Sequence, residues 1–258
     1  MNLPTFRKSL AVTGAKLILA AASPLQKLFD PPGITHEFCN QQAIAILHND
    51  GFERYAQFLN RYIIELNAGV YWADKGWRNV SHYFEPLSGK GLWQFSTAIE
   101  AFNDYYQQAI NNMERGNYNK AIFLLGASAH LMQDLCVPHH ARSKIFSGHK
   151  EYENWVQQHY TDYAVETSGI YKDNSNLRAQ LFRNAVVAAD LFDWINLDKG
   201  NMNFHDATSI LLPLAQRSTT GLFASFFLSA EKIIHHPIIT TPHKSVEKKW
   251  KVAFHCGN

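Results

Sequence analysis

One segment limits what this chain can fold into more than any other. From Tyr118 to Leu135 the residues read as a strongly apolar helix, with Ile122, Phe123, Leu124, Leu125 and Leu131, yet the segment also carries His130 and Asp134. Positions i and i+4 share one helix face, so this histidine and this carboxylate point the same way. His140 follows Pro138, and His149 and Glu153 repeat the i, i+4 pairing on the next predicted helix. Nitrogen and oxygen donors converging like this suit a borderline cation such as zinc. With each fixed residue near ~5% frequency, the pattern recurs by chance on the order of 10⁻⁶ times per chain. The plain alternative is a polar helix pair whose histidines bond to their neighbours.

Bulk composition narrows the classes further. A length of 258 residues fits one large domain or two small ones. With 46% hydrophobic and 18% charged residues, a sizeable core is available and disorder is excluded. A net charge of +2 is too small to argue for nucleic acid. Thirteen histidines are an excess that wants a reason. Cys39, Cys136 and Cys256 form neither a CxxC nor a zinc-ribbon spacing, so a metal site here is not thiolate-based. An odd count excludes full pairing within the chain. A Cys39–Cys136 bridge stays open for an exported protein, and buried free thiols are the favoured reading.

The N-terminus reads as an export signal over residues 1–22. Arg7 and Lys8 precede an apolar stretch from Leu10 to Ala22, and Ala20-Ala21-Ala22 offers a cleavage site after Ala22. Gly14 and Lys16 interrupt that stretch, so an ordinary N-terminal helix is the competing reading. No other segment approaches the ~20 apolar residues that span a bilayer. The domain proper is expected over 23–232. The tail, 233–258, has His235, His236, His243 and the basic Lys248-Lys249-Trp250-Lys251, which read as a solvated extension with weak membrane-surface attraction as the functional alternative.

The pattern between these ends is helical. Thr35 is a plausible N-cap for a helix over 36–48, and residues 52–67 form the next. The stretch 69–93 carries Gly69, Gly76, Gly89, Gly91 and Pro86 among aromatic residues, and reads as a long ordered loop. Helices are expected over 94–115, 118–135, 150–166, 176–196 and 205–232. Pro138 should end the second of these, and Pro213 should kink or delay the last. Gly126 lacks a side chain where another helix could approach closely. His205-Asp206 reads as a helix-start pair.

Two further places complete a pattern. One is Gly33-Ile34-Thr35-His36; the other is Asp74 with His82-Tyr83-Phe84-Glu85-Pro86. With these, and with the run from Glu114 to Asp134, the chain resembles the bacterial zinc-dependent phospholipase C family, the group of phosphatidylcholine-cleaving enzymes and clostridial alpha-toxins. The resemblance covers residues 33–165 well. It implies an all-α fold, a single multi-helix domain with a trinuclear zinc cleft, in the phospholipase C/P1 nuclease-like class. It implies that Asp74, His82, His130 and Asp134 hold one zinc, and that His140, His149 and Glu153 hold a second. His36 and Asp134 would hold a third, with the amine and carbonyl of the mature N-terminus. The family exposes tryptophan at that terminus and none precedes His36, so Ser23 would have to serve after cleavage. The implied reaction is hydrolysis of a phospholipid, phosphatidylcholine first, to diacylglycerol and a phosphorylated headgroup, with Asp74 as general base. Tyr71, Trp72, Trp77, Tyr83 and Phe84 could supply a cation–π box for choline. No segment is left for a C-terminal lipid-binding domain of the alpha-toxin type.

Two rival readings remain. A P1-type zinc nuclease shares the fold, but the last pair ends in Glu153 rather than Asp, and the step from His140 to His149 is short. It also lacks the expected disulfide cysteines and a concentration of basic residues beside the motif. A non-catalytic zinc-stabilised helical module would keep the ligands for folding, in a site closed to exchangeable water.

Overall fold

Residues 33–93, 95–171, 176–196 and 203–234 are described in the computed structural model. They form helices and connecting loops, and among them the β pairing is one isolated antiparallel bridge between Glu85 and Lys90. The chain opens with α1 (Ile34–Asn49), α2 (Glu53–Arg61) and α3 (Ile63–Ala73), then a 3-10 turn over Gly76–Ser81. Next come α4 (Ala98–Glu114), α5 (Tyr118–Asp134) and the single turn α6 (Pro138–Ala141). Helix α7 (His149–His159) runs into a 3-10 turn over Tyr160–Tyr163, and α8 (Leu177–Asp190), α9 (Phe192–Ile195) and α10 (Phe204–Ile234) follow.

Helix α5 is the centre of the bundle. Every residue from Leu124 to Asp134 is buried. A helix buried all round has no polar face to give to water, so the polar groups it carries must be matched inside the protein. Helices α3 and α4 pack along α5, and α10 packs on α1 and reaches α5. Phe102, Phe223, Phe226 and Phe227 are fully buried between these layers. Each such side chain contributes ~1.5–3 kcal/mol by leaving water. Helix α4 starts at a capping box: the Thr97 hydroxyl accepts from the Glu100 amide at 3.2 Å, and the Glu100 carboxylate accepts from the Thr97 amide at 2.8 Å.

The closest approach of two backbones explains the main departure from the sequence reading. The 69–93 stretch is not a single loop: α3 continues through Gly69 to Ala73, and the 3-10 turn follows. Gly69 faces the Phe123–Ala127 backbone of α5, while Gly126 faces Leu66 of α3. These glycines sit inside helices because no side chain fits where the helices cross. That gain outweighs the ~1 kcal/mol by which glycine weakens a helix. Gly126 does what its spacing predicts.

Smaller corrections have local causes. Helix α1 starts at Gly33, which adopts a left-handed conformation (φ 86°), rather than being capped by Thr35. The 52–67 segment is two helices, broken at Tyr62 (φ −112°). Pro138 does not end α5, which stops at Asp134; it opens α6 at a position where its missing N–H costs nothing. Pro213 lies inside α10 without ending it. His205 and Asp206 do sit at the start of that helix, bonded to Tyr163 and Asn203. The signal segment, Ser23, the tail from His235 and Cys256 lie outside the described residues. No described helix is long and apolar enough to cross a membrane.

Candidate metal centre

The C-terminal end of α5 forms the floor of a cleft of about 400 Å³. Its lining includes all eight residues implicated by the sequence: His36, Asp74, His82, His130, Asp134, His140, His149 and Glu153. They come from α1, the end of α3, the end of the 3-10 turn, α5, α6 and α7, so the fold gathers donors spread over 118 positions (36 to 153).

Asp134 is the hub. Its Oδ2 lies 2.8 Å from His82 Nδ1, 3.2 Å from His130 Nε2 and 3.8 Å from His140 Nδ1, and its Oδ1 lies 3.6 Å from His36 Nε2. At the outer end, Glu153 Oε1 stands 2.9 Å from His149 Nε2 and 3.6 Å from His140 Nε2. Yet Asp134 Oδ2 and His149 Nε2 are buried and make no hydrogen bond of acceptable geometry. His130 Nε2 and His82 Nδ1 do lie at hydrogen-bond distance (3.2 Å), but Asp134 Oδ2 faces the same point with no bond of its own. Buried polar atoms left this way are costly unless something else satisfies them.

Ligand atoms fall within 4.8 Å of one another in four overlapping groups. These are His36, His130 and Asp134; Asp74, His82 and His130; His82, Asp134 and His140; and His140, His149 and Glu153. The last is the outer set implied by the sequence. The inner set of Asp74, His82, His130 and Asp134 appears as overlapping trios, with His82, His130 and Asp134 each shared. The chemistry of the donors, imidazole and carboxylate without thiolate, fits zinc. Cys39 and Cys136 also border the cleft, but both are free and buried, and burial pushes both thiols up.

One ring nitrogen of each of three histidines is held by a specific partner. His82 donates from Nε2 to the Ala73 carbonyl (3.1 Å), which leaves Nδ1 for the centre. His140 donates from Nδ1 to the His82 carbonyl (3.1 Å), which leaves Nε2 facing Glu153. His36 donates from Nδ1 to Gln133 Oε1 (2.8 Å), which leaves Nε2 facing Asp134. Such outer partners fix the tautomer and ring orientation of a ligand. The Gln133 amide nitrogen in turn donates to Asn40 Oδ1 (3.1 Å) and Thr219 Oγ1 (3.2 Å). Sequence reasoning gave Gln133 no role. The signal was present: it is a polar residue between His130 and Asp134 in an otherwise apolar helix.

His139 was missed as well. Its ring is buried and stacks on His149 at 4.7 Å and 15°. Its Nε2 donates to the Ser147 carbonyl (3.2 Å), so it ties the loop leading into His149 back to α6.

The electrostatics call for positive charge. Burial should raise the Asp134 pKa, yet His130, His140 and His82 hold it well below the usual carboxylate range. Burial should lower His140, yet Asp134 and Glu153 raise it to about 9. His36 is lowered to about 4 by burial and by His130, so its ring is neutral and ready to coordinate.

Among the described residues, the five aromatics expected to form a box divide between the cleft and packing elsewhere. Trp72 packs on Tyr105 and Phe123 beneath the Arg78 guanidinium, and Phe84 packs on Phe182. Tyr83 is stacked flat on His140 (4.7 Å, 11°). Of the five aromatics only Tyr71 and Tyr83 line the cleft, whose wall beside Asp74 is Lys75 and Asn79.

Comparison with known proteins bears on this centre directly. Residues 35–202 match the family described as zinc dependent phospholipase C. The chain belongs to the zinc-dependent phospholipase C family. A Bacillus cereus protein named phospholipase C is 30% identical over 208 residues, covering 68% of this chain and 72% of that one. One from Paraclostridium bifermentans is 26% identical over 195 residues, covering 61% of this chain and 49% of that protein. The chain thus spans about half the length of its clostridial relatives. Two solved alpha-toxins share the fold. That of Clostridium perfringens avian strain SWCP gives a TM-score of 0.65 at 21% identity, covering 77% of this chain and 64% of the toxin. That of Clostridium absonum gives 0.69 at 19% identity, covering 76% and 64%.

Proposed function

We propose that the protein is a zinc-dependent phospholipase C that hydrolyses a glycerophospholipid on the glycerol side of its phosphate, releasing diacylglycerol and a phosphorylated headgroup. The observation that carries this reading is the buried, unbonded Asp134 Oδ2 among three histidines, with a fourth, His36, at Oδ1, in a chain of this family. Asp74, His82, His130 and Asp134 would hold one zinc, His140, His149 and Glu153 a second, and His36 with Asp134 a third. Zinc bound there supplies charge for the phosphate oxygens and acidifies a water.

The chain's own residues divide the remaining work. Asp134, carrying both carboxylate oxygens into the cluster, links its inner members. Asp74 caps α3 at the cleft wall, only partly buried, where it can take a proton from the attacking water. Gln133 and the Ala73 and His82 carbonyls keep the histidine rings turned inward. Tyr83 stacks behind His140 on that side of the cleft. Tyr71 and Tyr83 line the cleft, and phosphatidylcholine is the first substrate to test. Residues 1–22 support export of the protein, with 23–232 as the catalytic unit.

The test is release of phosphorylated headgroup from phospholipid micelles by zinc-loaded protein, with Asp134→Asn alongside. Release by wild type and not by the variant supports the reading. Zinc-loaded wild type that cleaves no phospholipid but cleaves single-stranded DNA would move it to the nuclease branch. Asp74→Asn with zinc retained and turnover near wild type would remove Asp74 as the base.

A further inference from the structure

Two surface segments border the cleft, and both present apolar side chains to solvent beside lysines. One is the turn after α3, where Trp77 is 53% exposed between the cleft-lining residues Lys75 and Asn79. The other is the loop between α6 and α7, where Phe146 is 81% exposed between Lys144 and Lys150, next to the cleft-lining Ile145.

This second loop is held in shape. The Lys144 amide donates to the His139 carbonyl (2.9 Å), and the His139 ring donates to the Ser147 carbonyl (3.2 Å). Ser143 and Ser147 adopt left-handed backbone (φ 51° and 66°), which L residues disfavour. The loop is therefore anchored at both ends, in a conformation that leaves its one aromatic ring outside.

A neighbouring hairpin repeats the device. The Glu85 carboxylate accepts from the Leu87 and Ser88 amides (3.1 and 2.7 Å), which orders the hairpin tip and leaves Leu87 86% exposed. Arg142, at the root of the α6–α7 loop, reaches the same carboxylate at 3.6 Å.

Charge selects the partner. Between positions 143 and 153 the acids are Glu151 and Glu153, and Glu153 is engaged by His149 and His140. Lys75, Lys144 and Lys150 are all exposed. We infer that this rim docks the protein on an anionic phospholipid surface, with Phe146 and Leu87 entering at headgroup level and the lysines facing lipid phosphates. Basic residues around exposed apolar side chains are what such an interface binds. A single-stranded nucleic acid could stack on Phe146 but gains nothing from Leu87, which has no ring face. The purpose of the docking rests on the phospholipase reading above; the docking is tested apart from it.

The experiment measures initial association of zinc-loaded protein with captured vesicles of phosphatidylcholine, alone or mixed with phosphatidylglycerol. Hydrolysis of a short-chain phosphatidylcholine and phosphatidylglycerol, kept monomeric, is followed in the same preparations. Wild type should bind the anionic vesicles about tenfold more tightly. Phe146→Ser should weaken that binding about tenfold, and Lys144→Glu should remove most of the preference for anionic lipid. Both variants should keep wild-type hydrolysis of the monomeric lipids. Equal binding to the two vesicles, or unchanged binding by Phe146→Ser, overturns the proposal, as does displacement from vesicles by a single-stranded oligonucleotide. Vesicle binding as expected, with no phospholipid hydrolysed, would uphold the docking face and sink the phospholipase reading; the reverse result would do the opposite.

Discussion

The Gly69–Gly126 crossing ties the core to the metal centre, and Gly126→Ala tests that link. A methyl group on Gly126 would overlap the Leu66 carbonyl oxygen and stand 2.8 Å from the carbonyl carbon and 3.2 Å from the Cα. Carbon atoms settle at ~3.5–4.0 Å, so α3 and α5 would have to separate by roughly 1 Å. The obstructing atoms are main chain, and no change of rotamer relieves them. Overpacking costs ~1–3 kcal/mol, here at the upper end, and alanine returns ~1 kcal/mol of helix propensity, for a net loss of about 2 kcal/mol. The same movement shifts the Ala73 carbonyl, which orients His82, and Asp74, away from His130 and Asp134 on α5. Outer-partner losses of this kind lower metal affinity by about 10–100-fold. The assay is urea unfolding together with competitive zinc titration. Gly51→Ala is the control: Gly51 also has a positive φ (94°) but open space around its Cβ position. It should lose ~1–2 kcal/mol of stability and keep its zinc affinity. Wild-type zinc affinity in Gly126→Ala despite a lowered urea midpoint would refute the coupling of crossing to centre.

Three further outcomes follow from the same geometry. Gln133→Leu strips the His36 ring, Asn40 and Thr219 of their partner, and should weaken the His36 zinc about 10–100-fold by competitive titration, leaving the outer set unchanged; unaltered affinity for every zinc would remove Gln133 from the centre. Stripping zinc with a chelator, from ~1,000-fold above its dissociation constant, should cost ~4 kcal/mol and lower the melting temperature by about 8–16 °C in calorimetry; no shift would mean that the folded state does not bind the metal preferentially. Burial raises Tyr71 and Tyr106 to about 12, and burial with Asp50 raises Tyr171 further. Unfolded tyrosines lose their proton near ~10 while these keep it, so stability should be intact below pH 10 and fall as pH rises through 12. A urea midpoint unchanged from pH 9 to pH 11.5 would contradict that.

Legibility in the sequence followed the reach of local geometry. His130 with Asp134 and His149 with Glu153 were readable because helix periodicity alone puts each pair on one face. His36, Asp74 and His82 were readable only through family resemblance, since no local rule brings α1 and the end of α3 to α5. Gly69 was misread because a glycine signals both a break and a close crossing, and only the facing Phe123 backbone decides between them. The aromatic residues of the 69–93 stretch divide for a similar reason. Trp72 and Phe84 found apolar partners and Tyr83 found His140, choices made by tertiary packing that composition cannot show. The N-cap at Gly33 was hidden because Thr35 satisfies the usual chemistry two residues later.

The placement of the site on α5 carries a further consequence. Removing a carboxylate from water costs several kcal/mol, and Asp134 is only 2% exposed. Without a cation, that cost is offset by histidine protons: Asp134 stays ionised and raises His130 and His140. Those protons are held on the nitrogens that zinc needs, so metal and protons compete for one cluster, and zinc binding must release them. The helix that is buried without a break from Leu124 to Asp134 is thus also the one whose polar end calls for added charge. Core stability and metal occupancy are one equilibrium here, and a substitution that loosens either, at Gly126 or at Gln133, must be felt in both.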